Sequence, residues 1–348
     1  MKKIWIKSGA IVCGVGVWLS NLFVLQARKT EAQEFCTAKA ACVMEQTSRR
    51  VLYEHCGDLR LPMASTTKIA TAITVLEESL DITQTMIIPQ EAEGIEGSSV
   101  YLKSGAEYSI EDLLYGLMLR SGNDCATALA LHCGNDLGNF AAKMNKMAQR
   151  AGALETNFVN PHGLPAPNHY TTARDLSYIT CYAMENPIFR TIVSTHYYEP
   201  RAWKNKNKLL RDYDAAIGVK TGYTKEAGRC LVSAAREGNM TLICTVLNCG
   251  DMYECSKRLL EDGFSAYEYA KLLDKREVYE ITQGTKTYKA KVVEDFFYPL
   301  LQEEKGLVEK EIVFNDFQAK RDENGEILGQ MQIQLAKHLL FSTNLYKL

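Results

Sequence analysis

The fold turns on one stretch, Pro62-Met63-Ala64-Ser65-Thr66-Thr67-Lys68-Ile69-Ala70-Thr71-Ala72-Ile73-Thr74-Val75-Leu76. Pro62 interrupts the preceding segment. Beyond it Ile69, Ala72, Ile73 and Leu76 recur at i, i+3, i+4 and i+7, the spacing of one helix face. Ser65 and Lys68 stand three residues apart at the start of that helix, so the amine can approach the hydroxyl. A lysine kept neutral by burial and by neighbouring cations can serve as the base for such a serine. A serine three residues ahead of a lysine occurs once in this chain, immediately before the amphipathic run.

Upstream, residues 38–45 and 50–55 are short apolar runs separated by Gln46-Thr47-Ser48-Arg49, the pattern of a β-hairpin. Downstream, Ser109 followed by Asp112 predicts a capped helix carrying Leu113, Leu114, Leu117 and Met118 on one side. That helix is expected to stop near Ser121-Gly122, and another to run from Asp124 to Leu131. Helix and loop dominate to about residue 210. Strand signals then return at Ile217–Tyr223, Cys230–Ala235 and Thr241–Leu247. Strands open and close the region and helices fill its centre, which predicts an α+β layered fold. Beyond residue 275, Val278–Ile281, Tyr288–Val293, Ile312–Phe314 and Gln330–Leu335 read as strands, with a turn at Glu323-Asn324-Gly325-Glu326. Residues 276–348 are therefore expected to form a small all-β domain behind a 33–275 domain.

Two further motifs fall at structural breaks. Ser121-Gly122-Asn123 lies between two helices, where a loop can present a hydroxyl and an amide to a cleft. Read alone it is an ordinary helix cap, and Ser342-Thr343-Asn344 repeats its form by chance. Lys220-Thr221-Gly222 lies on a strand of edge character, where a cation and a hydroxyl can hold a carboxylate and a glycine lets a substrate backbone come close.

In this order, the three motifs resemble those of the penicillin-recognising serine enzymes: S-x-x-K, S-x-N and K-T-G. The likeness is closer to the low-molecular-mass D-alanyl-D-alanine carboxypeptidases. It is carried by the stretch 62–68, Ser121-Gly122-Asn123-Asp124, Asn160-Pro161-His162-Gly163-Leu164, His169-Tyr170-Thr171-Thr172-Ala173 and Gly218-Val219-Lys220-Thr221-Gly222. The resemblance implies a β-lactamase/transpeptidase-like domain, with a five-stranded antiparallel sheet flanked by helices, and a C-terminal β domain. It implies that Ser65 attacks the carbonyl between two terminal D-alanines of a peptidoglycan pentapeptide. Lys68 would take the serine's proton, Ser121 would relay a proton to the leaving group, and Asn123 would order Lys68 and the substrate. Lys220 and Thr221 would hold the terminal carboxylate beside Gly222. The N–H groups of Ser65 and Tyr223 would form the oxyanion hole. β-Lactams would acylate Ser65. No cofactor or metal is implied.

Some relatives place an arginine beyond the third motif to help bind the carboxylate. Here that neighbourhood reads Gly250-Asp251-Met252-Tyr253-Glu254, with Arg258 the first arginine after it. A β-lactamase of the same fold would need a Glu-x-x-x-Asn stretch, whereas Glu155 stands two before Asn157. A non-catalytic wall-binding protein on the same fold is the alternative of a different class, and the intact motifs argue against it. No G-x-S-x-G or H-E-x-x-H occurs. His162 and His169 read as loop-structuring, His55 and His338 as surface residues.

The opening residues concern location. Lys2, Lys3 and Lys7 precede an uncharged run from Ser8 to Ala27, with Thr30 and Ala32 as a small-residue cleavage site. This reads as a signal peptide over 1–32, or as an uncleaved anchor, and either form places the enzyme outside the cytoplasmic membrane. Many relatives carry a membrane-binding C-terminal helix. This chain ends in Phe341–Leu348 soon after its last strands, so membrane contact is expected only through the N-terminal segment. The net charge is −2 and the basic residues are scattered, which excludes a nucleic-acid footprint. Ten of the 11 cysteines follow residue 32 without metal-type or redox-type spacing. They are expected to be free, buried, small hydrophobes, with Cys36–Cys42 or Cys249–Cys255 as conceivable pairs.

Overall fold

The computed structural model describes residues 5–6, 36–79, 81–283, 286–314 and 320–348; the expected leader lies almost wholly outside them. The chain divides into a compact unit over Gln26–Ser265 and a second containing Ala266–Leu348.

In the first unit the expected hairpin forms as β1 (Ala40–Glu45) and β2 (Val51–His55). The late strands are β3 (Ala216–Thr224), β4 (Gly228–Glu237) and β5 (Met240–Leu247). They join in one five-stranded antiparallel sheet of order β2-β1-β5-β4-β3, as the α+β expectation required. Register follows the two-residue period. Ile243 opposite Met44, and Leu247 opposite Ala40, face the main core. On that face the Thr245 hydroxyl meets Ser177 of the helix Ala173–Ala183 at 2.8 Å. Leu242 and Val43 point the other way, toward the helix Met252–Ala266, where a Cβ on Gly263 would lie 2.8 Å from Leu242. Both faces are covered, so β1 and β5 are apolar and buried along their length. β3 is an edge strand.

The helical layer includes α1 (Lys68–Glu78), which follows a single 3-10 turn at Ala64–Thr67. The Ser109 hydroxyl accepts from the Asp112 N–H at 3.0 Å and starts α2 (Ile110–Tyr115), which passes into a π-helical turn at Gly116–Arg120. The chain breaks at Ser121 and Gly122, and α3 (Asn123–Gly134) resumes. The sequence period did not show the π turn, because one extra residue per turn does not disturb so short an apolar face.

The cysteine expectation is corrected. Cys36 and Cys255 form a disulfide with Cα atoms 5.0 Å apart, across a separation of 219 residues. Neither conceivable pair forms: Cys42 is buried in β1, and Cys249 keeps a free thiol. The bond joins the segment before β1 to the helix after β5, a proximity created by pairing the sheet's first strand in sequence with its last. The eight other described cysteines are free.

In the second unit the strands Val308–Phe314, Gly325–Leu335 and His338–Lys347 continue through Lys286–Lys291 to Tyr279–Gln283. Glu268–Leu273 pairs with Phe296–Leu300, so this unit starts ahead of the boundary expected at 276. These two strands and His338–Lys347 escaped the sequence reading. Pro299 and interspersed charges mask the alternation, as in edge strands. The chance copy Ser342-Thr343-Asn344 lies on this last strand.

Candidate active site

The site begins with backbone strain. Ala64 is held at φ +49° immediately before Ser65, a left-handed conformation that costs an L-residue about 1–2 kcal/mol. The 3-10 turn then stacks Ser65 against Lys68, and the Lys68 Nζ lies 3.0 Å from the Ser65 Oγ. Lys68 is fully buried, and two further contacts complete its surroundings: the Asn123 Oδ1 at 2.7 Å and the His162 carbonyl at 2.6 Å. No carboxylate among the described residues pairs with it.

Burial first, then repulsion from Lys220 and Lys206, hold the Lys68 amine well below its ordinary value. Its place at a helix N-terminus acts in the same direction. The partners can satisfy the neutral form as well as the ammonium. A neutral amine has two N–H donors and one lone pair. Asn123 Oδ1 and the His162 carbonyl can only accept, and the Ser65 hydroxyl can donate.

Each partner is itself fixed. The Asn123 Nδ2 donates to the Glu96 carbonyl at 2.6 Å, and its backbone N–H donates to the Ser98 carbonyl at 2.7 Å. The next residue, Asp124, is buried and accepts from the Ser99 hydroxyl and from the N–H groups of Val100, Leu102 and Cys125, tying the loop around Gly97 to α3. His162 is presented by the Asn160–Leu164 turn, where the Asn160 Oδ1 accepts from the Gly163 N–H at 2.7 Å. Gly163 has φ +88°, and a Cβ there would lie 1.9 Å from the Ala64 carbonyl, so only glycine lets this turn meet the serine loop.

His169 braces the same contact. Its Nε2 is 2.9 Å from the Thr67 hydroxyl, which donates to the Ala64 carbonyl, and its Nδ1 accepts from the Val159 N–H. Burial, with Lys68 nearby, lowers His169 to about 4 and His162 to about 3. Both rings are therefore neutral at pH 7.

Ser121 is buried in the left-handed conformation at φ +64°, two residues before Asn123, and its hydroxyl has no hydrogen-bond partner among the described residues. On the opposite wall β3 carries Lys220, Thr221, Gly222 and Tyr223. Lys220 is buried, donates to the Thr221 carbonyl at 2.9 Å, and is lowered to about 7 by burial and by Lys206. Gly222 faces the serine loop so closely that a Cβ would lie 3.0 Å from the Met63 carbonyl and 3.1 Å from the Ser65 N–H. Tyr223 is 66% exposed on the rim.

The structure thus brings Ser65, Lys68 and Asn123 into direct contact and sets β3 against the Ser65 backbone. Sequence reasoning missed the His162 carbonyl as the third partner of Lys68, although the Asn160–Leu164 phrase had been singled out. It also missed Lys206, whose Nζ lies 3.3 Å from the Ser98 hydroxyl and whose charge bears on both site lysines. Glu155 is engaged by Arg60 in an exposed ion pair, and Arg258 pairs with Glu254 within one helix.

A family profile described as D-alanyl-D-alanine carboxypeptidase matches residues 27–250. A D-alanyl-D-alanine carboxypeptidase of Bacillus subtilis is 30% identical over 262 residues, covering 71% of this chain and 67% of its own length. Another, from Streptomyces sp. strain K15, is 37% identical over 227 residues, covering 59% and 78%. Among solved structures, penicillin binding protein 5 from Haemophilus influenzae superposes with a TM-score of 0.74 at 28% identity, covering 90% of this chain and 97% of that one.

Proposed function

Because this chain belongs to the D-alanyl-D-alanine carboxypeptidase family of serine peptidases, we propose that it removes the terminal D-alanine of peptidoglycan stem peptides through an acyl-enzyme on Ser65. The observation that carries this reading is the buried Lys68 amine, 3.0 Å from the Ser65 Oγ and without a carboxylate partner among the described residues. Lys68 accepts the hydroxyl proton as the Oγ bonds to the carbonyl carbon between the two D-alanines. The N–H groups of Ser65 and Tyr223 receive the oxyanion. As the C–N bond breaks, a proton passes through the Ser121 hydroxyl to the leaving amine. Water then cleaves the ester.

Lys220 and Thr221 hold the terminal carboxylate. A Lys220 titrating at about 7 gains its full charge on pairing with that anion. Penicillin enters as a mimic of the D-alanyl pair and forms a penicilloyl ester on the same serine. The enzyme works outside the cytoplasmic membrane, exported by residues 1–32, and the β unit serves as a spacer or docking module.

The test is intact-protein mass spectrometry of residues 33–348 with penicillin, followed over time beside Ser65→Ala. One persistent penicilloyl adduct on the wild type and none on the variant is expected. An adduct that disappears rapidly with drug turnover points to a β-lactamase. Absence of any adduct points to a non-catalytic wall-binding protein and sinks the proposal.

A further inference from the structure

A cleft of about 510 Å³ opens beside the serine loop, lined by Arg60, Pro62, Pro165, Asn168, Tyr170 and Glu226 among others. Its walls are fixed. Leu61 and Thr171 exchange backbone hydrogen bonds at 2.8 and 3.1 Å, Asn157 and Tyr170 do the same, and the Asn157 Nδ2 donates to the Asn168 carbonyl at 2.6 Å. Nothing described so far uses this space.

Its position follows from the direction of the substrate, and in this respect the inference rests on the carboxypeptidase reading. With the terminal carboxylate at Lys220 and Thr221, and the scissile carbonyl at the Tyr223 N–H, the peptide upstream runs past Tyr223 toward Thr224–Glu226. An extended chain advances roughly 3.3 Å per residue. The cleft's lining includes Glu226, three residues beyond Tyr223, so it lies in the direction that the residue ahead of the D-alanyl pair takes.

The lining carries opposite charges, on Arg60 and Glu226. The Arg60 guanidinium lies over the Tyr170 ring at 4.9 Å. Its Nε and Nη2 both donate to the Glu155 Oε2, and Nη1 has no partner among the described residues. Glu226 is exposed on a turn closed by the Ala227 N–H donating to the Thr224 hydroxyl at 3.0 Å, and its carboxylate is likewise unpaired among the described residues.

We propose that this cleft receives the side chain of the residue preceding the D-alanyl pair, and that Arg60 and Glu226 select a side chain ending in both a carboxylate and an ammonium. Arg60 takes the carboxylate through its free Nη1, and Glu226 takes the ammonium. A side chain ending in an ammonium alone engages only Glu226.

The experiment compares D-alanine release from two N-acetylated X-D-alanyl-D-alanine peptides on the full mature enzyme. X is meso-diaminopimelate, with both groups, or L-lysine, with the ammonium alone. Wild type is expected to favour the first in kcat/KM by roughly fivefold, the scale of one half-exposed charge-assisted hydrogen bond. Arg60→Gln brings the ratio to about one by lowering only the first value; Glu226→Gln lowers both. A folding defect would lower both values in Arg60→Gln and keep the ratio. A wild-type ratio of one, or an unchanged ratio in Arg60→Gln, overturns the subsite while leaving the carboxypeptidase reading intact. Failure to release D-alanine from either peptide overturns that reading, and the subsite with it.

Discussion

Lys68 and Asp112 are both buried ionisable residues in the first turns of helices, yet their surroundings are opposite. Asp112 accepts from the Tyr198 hydroxyl at 2.9 Å and from the Arg201 Nε and Nη2 at 3.0 and 2.6 Å. Burial pushes its carboxyl up, but the hydrogen bonds from Arg201 and Tyr198 outweigh that and hold it below the usual range. Its anionic charge also suits a helix N-terminus. Lys68 has the charge such a position disfavours, two cations nearby, and acceptors that suit a neutral amine. A buried charge with its counter-ion is a structural element, because both states of the chemistry have been settled in advance. A buried amine denied its counter-ion remains available to take a proton.

The largest expected effect separates the two regions by activity. Lys68→Met should lower acylation of the enzyme by about three orders of magnitude, the upper range for a general base. Its melting temperature should stay within a few degrees of wild type, since the lost hydrogen bonds are offset by no longer burying an amine. A variant that acylates within tenfold of wild type would break the contrast, as some other group would then be the base. Stopped-flow acylation with a chromogenic β-lactam measures it.

Next comes Gly222→Ala. The added methyl, within 3.0–3.1 Å of the Met63 carbonyl and the Ser65 and Thr66 N–H groups, must displace β3 from the serine loop. Acylation should fall up to about a hundredfold, the scale of an ångström's misplacement. Unchanged kinetics would show that the close approach is not needed for the oxyanion hole.

Asp112→Ala probes the other region. It leaves the partly exposed Arg201 without its partner and should cost about 1–3 kcal/mol in urea unfolding. The activity of the folded fraction should stay within about threefold. A large kinetic loss without a stability loss would merge the two regions.

The last contrast is in the pH dependence of stability. Lys220 titrates at about 7 when folded and near 10.5 when unfolded. Between these values the unfolded chain holds the extra proton, so unfolding free energy rises with pH, by at most about 1.4 kcal/mol per unit. Lys220→Met should flatten that rise. His169, at about 4 when folded, stays neutral while an unfolded histidine protonates near 6.5. Stability therefore falls as pH drops from 6.5 toward 4, and His169→Gln should remove part of that slope. Asp112 behaves differently. Its contribution is complete above the ordinary carboxylate range and is lost only at lower pH, as its depressed folded value is crossed.

Much of the fold was legible because its signals are local. The period change after Ser65, the Ser109 cap and the three late strand runs each depend on residues close to one another in the chain. The edge character read for the strand carrying Lys220-Thr221-Gly222 agrees with the place of β3 at the end of the sheet. What escaped were features made by distant segments meeting. The His162 carbonyl reaches Lys68 across 94 residues, the Cys36–Cys255 bond crosses 219, and Lys206 acts on charges carried by two other elements. The strands Glu268–Leu273 and Phe296–Leu300 escaped for another reason: a proline and scattered charges hid an alternation that pairing alone makes visible.

By itself, the sequence determined that Ser65 and Lys68 would stand beside one another. Ser65 and Lys68 sit one helical turn apart, and that relation is covalently short and set by backbone geometry. Tertiary structure alone decided that the Lys68 amine would be held well below its ordinary value. Its state depends on water being excluded, on two lysines being brought near, and on a carbonyl from a distant turn occupying the place where a carboxylate could have been. Each of these is a long-range packing outcome, and electrostatic energy depends on distances that a linear order does not contain.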